Sequence, residues 1–103
     1  MKKNISEKDV RKAVRDLLKK FGFLVIPYIP GFYGDKGVAD LLCCGTVDGI
    51  PGRFVAIELK ATTGKPSKEQ LEFIEQVQAR GGIAFIARST EDVIRHLNLP
   101  VLL

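Results

Sequence analysis

The sequence holds only two cysteines and one histidine. No apolar run approaches the roughly 18 to 20 residues that a membrane-spanning helix needs. Cys43 and Cys44 are adjacent, and neighbours on a strand point to opposite faces, so neither a disulfide framework nor a chelating pair is expected. Both read as core thiols. His96 falls near the end of the last helical pattern, where it reads as a favourable C-terminal charge or a surface residue rather than a ligand or general base. The opening Met1-Lys2-Lys3-Asn4 runs into a charged helical pattern without an apolar core, so no secretory signal is expected and the cytoplasm is the expected location. There is no internal repeat and no low-complexity segment.

What is present suits one domain spanning 1–103, since 103 residues of which 46% are hydrophobic can bury an adequate core. The net charge of +4 is compatible with a polyanionic partner without requiring one. Its distribution is more informative. Lys2, Lys3, Lys8, Arg11, Lys12, Arg15, Lys19 and Lys20 place half of the 16 basic residues in the first fifth of the chain. They form either the solvated face of a helix or a phosphate-facing surface, with Arg11 a candidate nucleic-acid contact.

The spacing predicts a helix over about 7–21, with Val10, Ala13, Val14, Leu17, Leu18 and Phe21 on one stripe and Gly22 at its end. Phe23 to Tyr28 reads as a first strand, followed by a glycine-rich loop over 29–37 that contains Tyr33 and Lys36. Val38 to Cys44 reads as a second strand and Phe54 to Ala61 as a third, joined by a connection longer than the minimal hairpin with Asp48-Gly49 at its middle. Ser67 and Gln70 form a capping box for a second helix with Leu71, Ile74 and Val77 buried. Ile83 to Ala87 is a fourth strand and Thr90 to Leu97 a short final helix, before an apolar tail. The order α, β, β, β, α, β, α implies a meander followed by a helical crossover that returns a strand in parallel, in a mixed four-stranded sheet of α/β class flanked by helices.

The third strand is apolar apart from Glu58 and Lys60, and burying lone charges is costly. Alternation puts Glu58 and Lys60 on one face with Phe54 and Ala56, and Val55, Ile57 and Leu59 on the other. Taken alone, Glu-x-Lys on a strand reads as a solvated or paired edge patch. Asp40 changes that reading. If the hairpin pairs symmetrically about Gly49, opposed residue numbers sum to 98, which sets Asp40 across from Glu58 on the same face. Two carboxylates so close repel each other unless a cation lies between them, and oxygen donors without histidine or thiolate point to Mg²⁺ or Mn²⁺. Slipping the register by one residue would send the acids to opposite faces. Lys60 stands near a scissile phosphate or an attacking water in this arrangement, and the backbone carbonyl of Leu59 is a further candidate oxygen ligand.

Gly37-Val38-Ala39-Asp40, then Glu58-Leu59-Lys60, then Ser67 and Gln70 opening a helix, resemble the PD-(D/E)XK nuclease superfamily and, within it, the VRR-NUC (virus-type replication-repair nuclease) family. Stand-alone members of that family occur in phages and bacteria. The likeness spans nearly the whole chain. It implies an αβββαβ restriction-endonuclease-like core, a metal held by Asp40 and Glu58, a catalytic Lys60, and a Gln70 that helps organise the site. It further implies a glutamate from the first helix, for which Glu7 is the one candidate. The residue before Asp40 is Ala39, where the superfamily pattern has proline. That difference concerns backbone shape rather than chemistry.

The resulting expectation is a metal-dependent endonuclease acting on DNA, with branched substrates such as four-way junctions implied by the resemblance. Cutting two strands symmetrically calls for a homodimer, with the apolar tail Leu97 to Leu103 as candidate interface. Two readings from other classes stand beside it. One is a non-catalytic nucleic-acid-binding module with a nuclease-like fold, and the other is a structural domain in which Glu58 and Lys60 simply pair.

Overall fold

A computed structural model of the chain describes residues 6–28 and 37–101. Its elements are α1 (Glu7–Lys20), β1 (Leu24–Pro27), β2 (Leu41–Val47), β3 (Ile50–Leu59), α2 (Lys68–Ala79), β4 (Ile83–Ala87) and α3 (Thr90–Leu97). The four strands form one sheet in the order β1-β2-β3-β4, antiparallel except for the parallel pair β3 and β4. No helix among the described residues is long and apolar enough to cross a membrane.

Side-chain oxygens open all three helices. Ser6, Ser67 and Ser89 accept from the backbone N–H groups of Asp9, Gln70 and Asp92, each satisfying a donor that has no intrahelical partner. Two layers then form on the two faces of the sheet. Val10, Val14 and Leu18 of α1 and Val93 and Leu97 of α3 pack on Leu41, Cys43, Val55, Ile57 and Leu59. On the opposite face Ile74 of α2 packs on Ala39, Ala56 and Ala84. Full burial of Leu18, Leu41, Ile57 and Leu59 contributes about 1.5 to 3 kcal/mol per side chain, so the face under α1 and α3 carries most of the stability.

The β2–β3 register agrees with the symmetric expectation from Leu41↔Ile57 to Gly45↔Arg53 and shifts by one residue before Val47↔Ile50. The connection is shorter than expected. Asp48 (φ 51°) and Gly49 (φ 77°) both adopt left-handed backbone and form a two-residue turn between Val47 and Ile50. The glycines around this turn suggested a longer loop, whereas the strands run on through them. At the other end β2 starts at Leu41 rather than Val38, and β3 stops at Leu59 rather than Ala61. Asp40 leaves the ladder with β3 because its carboxylate takes the N–H of Leu59, while on the other side its backbone carbonyl accepts from Tyr28 N–H (2.8 Å) in the register of β1 with β2.

Two other expectations are corrected. The segment after α3 is not a free apolar tail: Leu97 and Leu99 are buried in the core and Val101 packs against it, while residues 102–103 lie outside the described residues. Cys43 is a core thiol but Cys44 is exposed. It lies on the α2 face of the sheet, two residues beyond Leu42, the β2 side chain that packs against the α2 cluster. Leu24 and Ile26 of β1 remain 62% and 51% exposed, as their strand pairs with β2 on the far side from α2.

Candidate active site

Glu58 is 2% exposed, the one charged side chain among the described residues to be buried. Strand alternation sets its side chain toward α2, because Ala56 belongs to the α2 cluster while Val55, Ile57 and Leu59 belong to the other. Gln70, in the first turn of α2, meets it there. Gln70 Oε1 accepts from Ser67 N–H (2.7 Å), which turns its amide nitrogen toward the sheet, and Nε2 donates to Glu58 Oε1 (2.8 Å). Capping and site contact are therefore one arrangement, not alternatives. Lys60 follows on the same face with Nζ 3.8 Å from Glu58 Oε1.

Asp40 reaches the same place from just before β2. Leu59 N–H donates to its Oδ2 (2.8 Å) and Arg11 Nη2 donates to its Oδ1 (3.3 Å). The same Arg11 nitrogen lies 3.8 Å from Glu7 Oε2. Gly37 sets the height of the segment that carries Asp40. Its backbone is left-handed (φ 86°), and a Cβ there would overlap the backbone carbonyl of Glu69. The loop end thus rests directly on the first turn of α2.

Burial pushes the Glu58 carboxyl up from its usual 4.5 to about 8, and the neighbouring Asp40 adds to this through hydrogen bonding and charge. Lys60 pulls the other way, and Glu7 raises it slightly further. Glu58 Oε2 is buried and receives no donor from the described residues. Two carboxylates can hydrogen-bond only if one holds a proton, so the pair is satisfied by a proton on Glu58 or by a cation. A hard divalent ion fits this donor set, which contains oxygens and neither imidazole nor thiolate.

Of the residues singled out from sequence, Asp40, Glu58, Lys60 and Gln70 come together. Arg11 joins them through Asp40. Among the described residues no three His, Cys, Asp or Glu side chains gather into a metal-sized cluster, so Glu7 is not assembled with the acidic pair. Arg11 engages its carboxylate instead. At Leu59 the contact with Asp40 is made by the amide N–H. Tyr33 and Lys36 lie outside the described residues. His96 is exposed in the last turn of α3, its ring stacked on Phe85 with centroids 4.2 Å apart, away from the acids. Two contacts were missed in the sequence. Arg11 appeared there as helix-surface charge and a candidate nucleic-acid contact, without its partner Asp40, and Gly37 as a loop glycine ahead of Asp40, without its contact to Glu69.

No family model matches the chain, and no curated protein matches it by sequence. A solved structure described as a VRR_NUC domain superposes on it with a TM-score of 0.72, covering 94% of this chain and 100% of its own length at 24% identity. The chain therefore has the mixed α/β fold of that VRR_NUC domain.

Proposed function

We propose that the chain is a VRR-NUC family endonuclease that hydrolyses phosphodiester bonds in DNA with Mg²⁺ or Mn²⁺, prefers branched DNA such as a four-way junction, and works as a homodimer. The observation that carries this reading is the buried carboxyl of Glu58, set beside Asp40 with one oxygen lacking a donor among the described residues. A site of that kind is costly to the fold and is retained where a cation is used.

Asp40 and Glu58 would hold the cation, with the Leu59 carbonyl as a further oxygen donor. When bound, the ion polarises the scissile phosphate and makes water acidic enough to attack near neutral pH. Lys60 would neutralise charge building on the phosphate, from an ammonium held 3.8 Å from Glu58. Gln70 fixes the rotamer of Glu58 from a capped helix terminus, and the Leu59 N–H and Arg11 fix Asp40. Arg11, Tyr33 and Lys36 are the proposed DNA contacts. Symmetric cutting of a junction needs two such sites, hence the dimer. The cytoplasm is the proposed location.

The test is cleavage of a labelled four-way junction and a linear duplex with Mg²⁺, with Mn²⁺ and with chelator, by wild type, Asp40→Asn and Lys60→Ala. Cation-dependent cutting by wild type, lost in both variants and faster on the junction, is the expected result. Cutting that persists in both variants would falsify the assignment of these residues. Salt-sensitive DNA binding without any turnover would instead favour a non-catalytic binding module.

A further inference from the structure

The exposed charge on α1 is organised. At about 100° per residue, Lys8, Arg11, Lys12, Arg15 and Lys19 fall within a sector about 100° wide. The same five side chains, with Asp16, line one shallow depression along the helix. Of the five, Lys12 pairs with Asp16 (2.9 Å), both exposed, which contributes little. Arg11 pairs with Asp40 and Glu7. Lys8, Arg15 and Lys19 have no ion pair among the described residues, and the buried Arg15 Nε has no acceptor there.

We infer that this face of α1 is a track for the backbone of double-stranded DNA that leads into the Asp40–Glu58 site. The inference rests on the nuclease reading and deepens it by stating where the substrate lies. Continuity is its main support: Arg11 belongs both to the stripe and, through a 3.3 Å hydrogen bond to Asp40, to the site. From Lys8 to Lys19 the helix rises about 16 Å, about five nucleotide steps of one B-form strand. The apolar side of α1 is spent in the core, where Val10, Val14 and Leu18 are buried. That leaves no apolar face to insert into a lipid surface, whereas a phosphate backbone asks for charge alone.

The test is binding of a fluorescent duplex of about 20 base pairs without divalent cation, followed by anisotropy from about 50 to 200 mM KCl. Lys8→Gln/Lys19→Gln, both at exposed positions, and the triple variant that adds Arg15→Gln are compared with wild type. The slope of log K against log salt is expected to become shallower by about 2 in the double variant and about 3 in the triple, with affinity at 0.1 M KCl about tenfold weaker or more. Lys8→Arg/Lys19→Arg should restore the wild-type slope, which separates charge from a folding defect. Unchanged slopes overturn the track, as does loss of binding to anionic vesicles with duplex binding intact. Wild-type protein that binds with the steep slope yet cuts nothing defeats the nuclease reading and leaves the track in place. Cutting by wild type together with unchanged slopes defeats the track alone.

Discussion

Gln70 and Glu58 are joined by a single 2.8 Å hydrogen bond whose donor is oriented by the cap of the helix it opens. The substitution Gln70→Glu preserves the capping acceptor, since glutamate serves that position equally well, but removes the donor and sets a third acid beside the pair. We expect the variant to remain folded and to lose cation-dependent cleavage by about tenfold or more. Gln70→Ala loses both contacts, costing about 1 to 2 kcal/mol and so several degrees in melting temperature. Equal activity in wild type and Gln70→Glu would show that the contact only caps.

Glu58 links the site to pH. Its carboxyl titrates near 4.5 when the chain is unfolded and about 8 when folded. Between those values the folded chain keeps a proton that the unfolded chain has released, so stability falls as pH rises through the window. The full span is on the order of 5 kcal/mol. Glu58→Gln removes the dependence. Without divalent cation, the variant should melt higher than wild type above pH 8, and the difference should vanish near pH 4.5. Addition of Mg²⁺ should stabilise wild type and not the variant. Parallel pH profiles for the two proteins would refute the buried-acid account.

Lys60 is the proposed source of charge neutralisation on the phosphate, not a metal ligand. Lys60→Ala should therefore lower the cleavage rate by about 100-fold or more while Mg²⁺ still raises the melting temperature. Loss of the Mg²⁺ effect along with the rate would place the ammonium's role in cation binding.

Gly37 faces two constraints at once, a left-handed backbone and the carbonyl of Glu69. Gly22 has a similar φ of 82° with nothing near its missing Cβ, and so isolates the backbone contribution. Gly37→Ala should lower stability by about 1 to 3 kcal/mol and weaken Mg²⁺ binding by moving Asp40, whereas Gly22→Ala should affect stability alone. Equal effects of the two substitutions would remove the contact with Glu69 from the account.

Much of this site is legible in the amino-acid order. The alternation in β3 and pairing taken as symmetric about Gly49 match the observed register beside the site. The turn itself pairs Val47 with Ile50, and only the one-residue irregularity between Gly45 and Val47, invisible in composition, carries the strands into the register that brings Asp40 and Glu58 together. Where β2 begins is less legible, because the Leu59 N–H is satisfied by the Asp40 carboxylate rather than by a ladder carbonyl, and composition does not decide between those acceptors. The exposure of Cys44 depends on how much of the sheet α2 covers, a property of packing. Leu99 looked surplus in a short apolar tail, but the layer under α1 and α3 needs it. Arg11 has the pattern of an ordinary helix-surface charge, and only its reach to Asp40 distinguishes it.

The bond from Leu59 N–H to Asp40 Oδ2 turns one backbone amide into a reporter. In a nitrogen-15 correlation spectrum, the proton frequency of Leu59 follows the electron density on that oxygen. A resonance at low field should move upfield as a divalent ion withdraws charge from the carboxylate. Occupancy of the centre can then be followed on the isotopically enriched wild-type protein, without an attached probe and without any substrate.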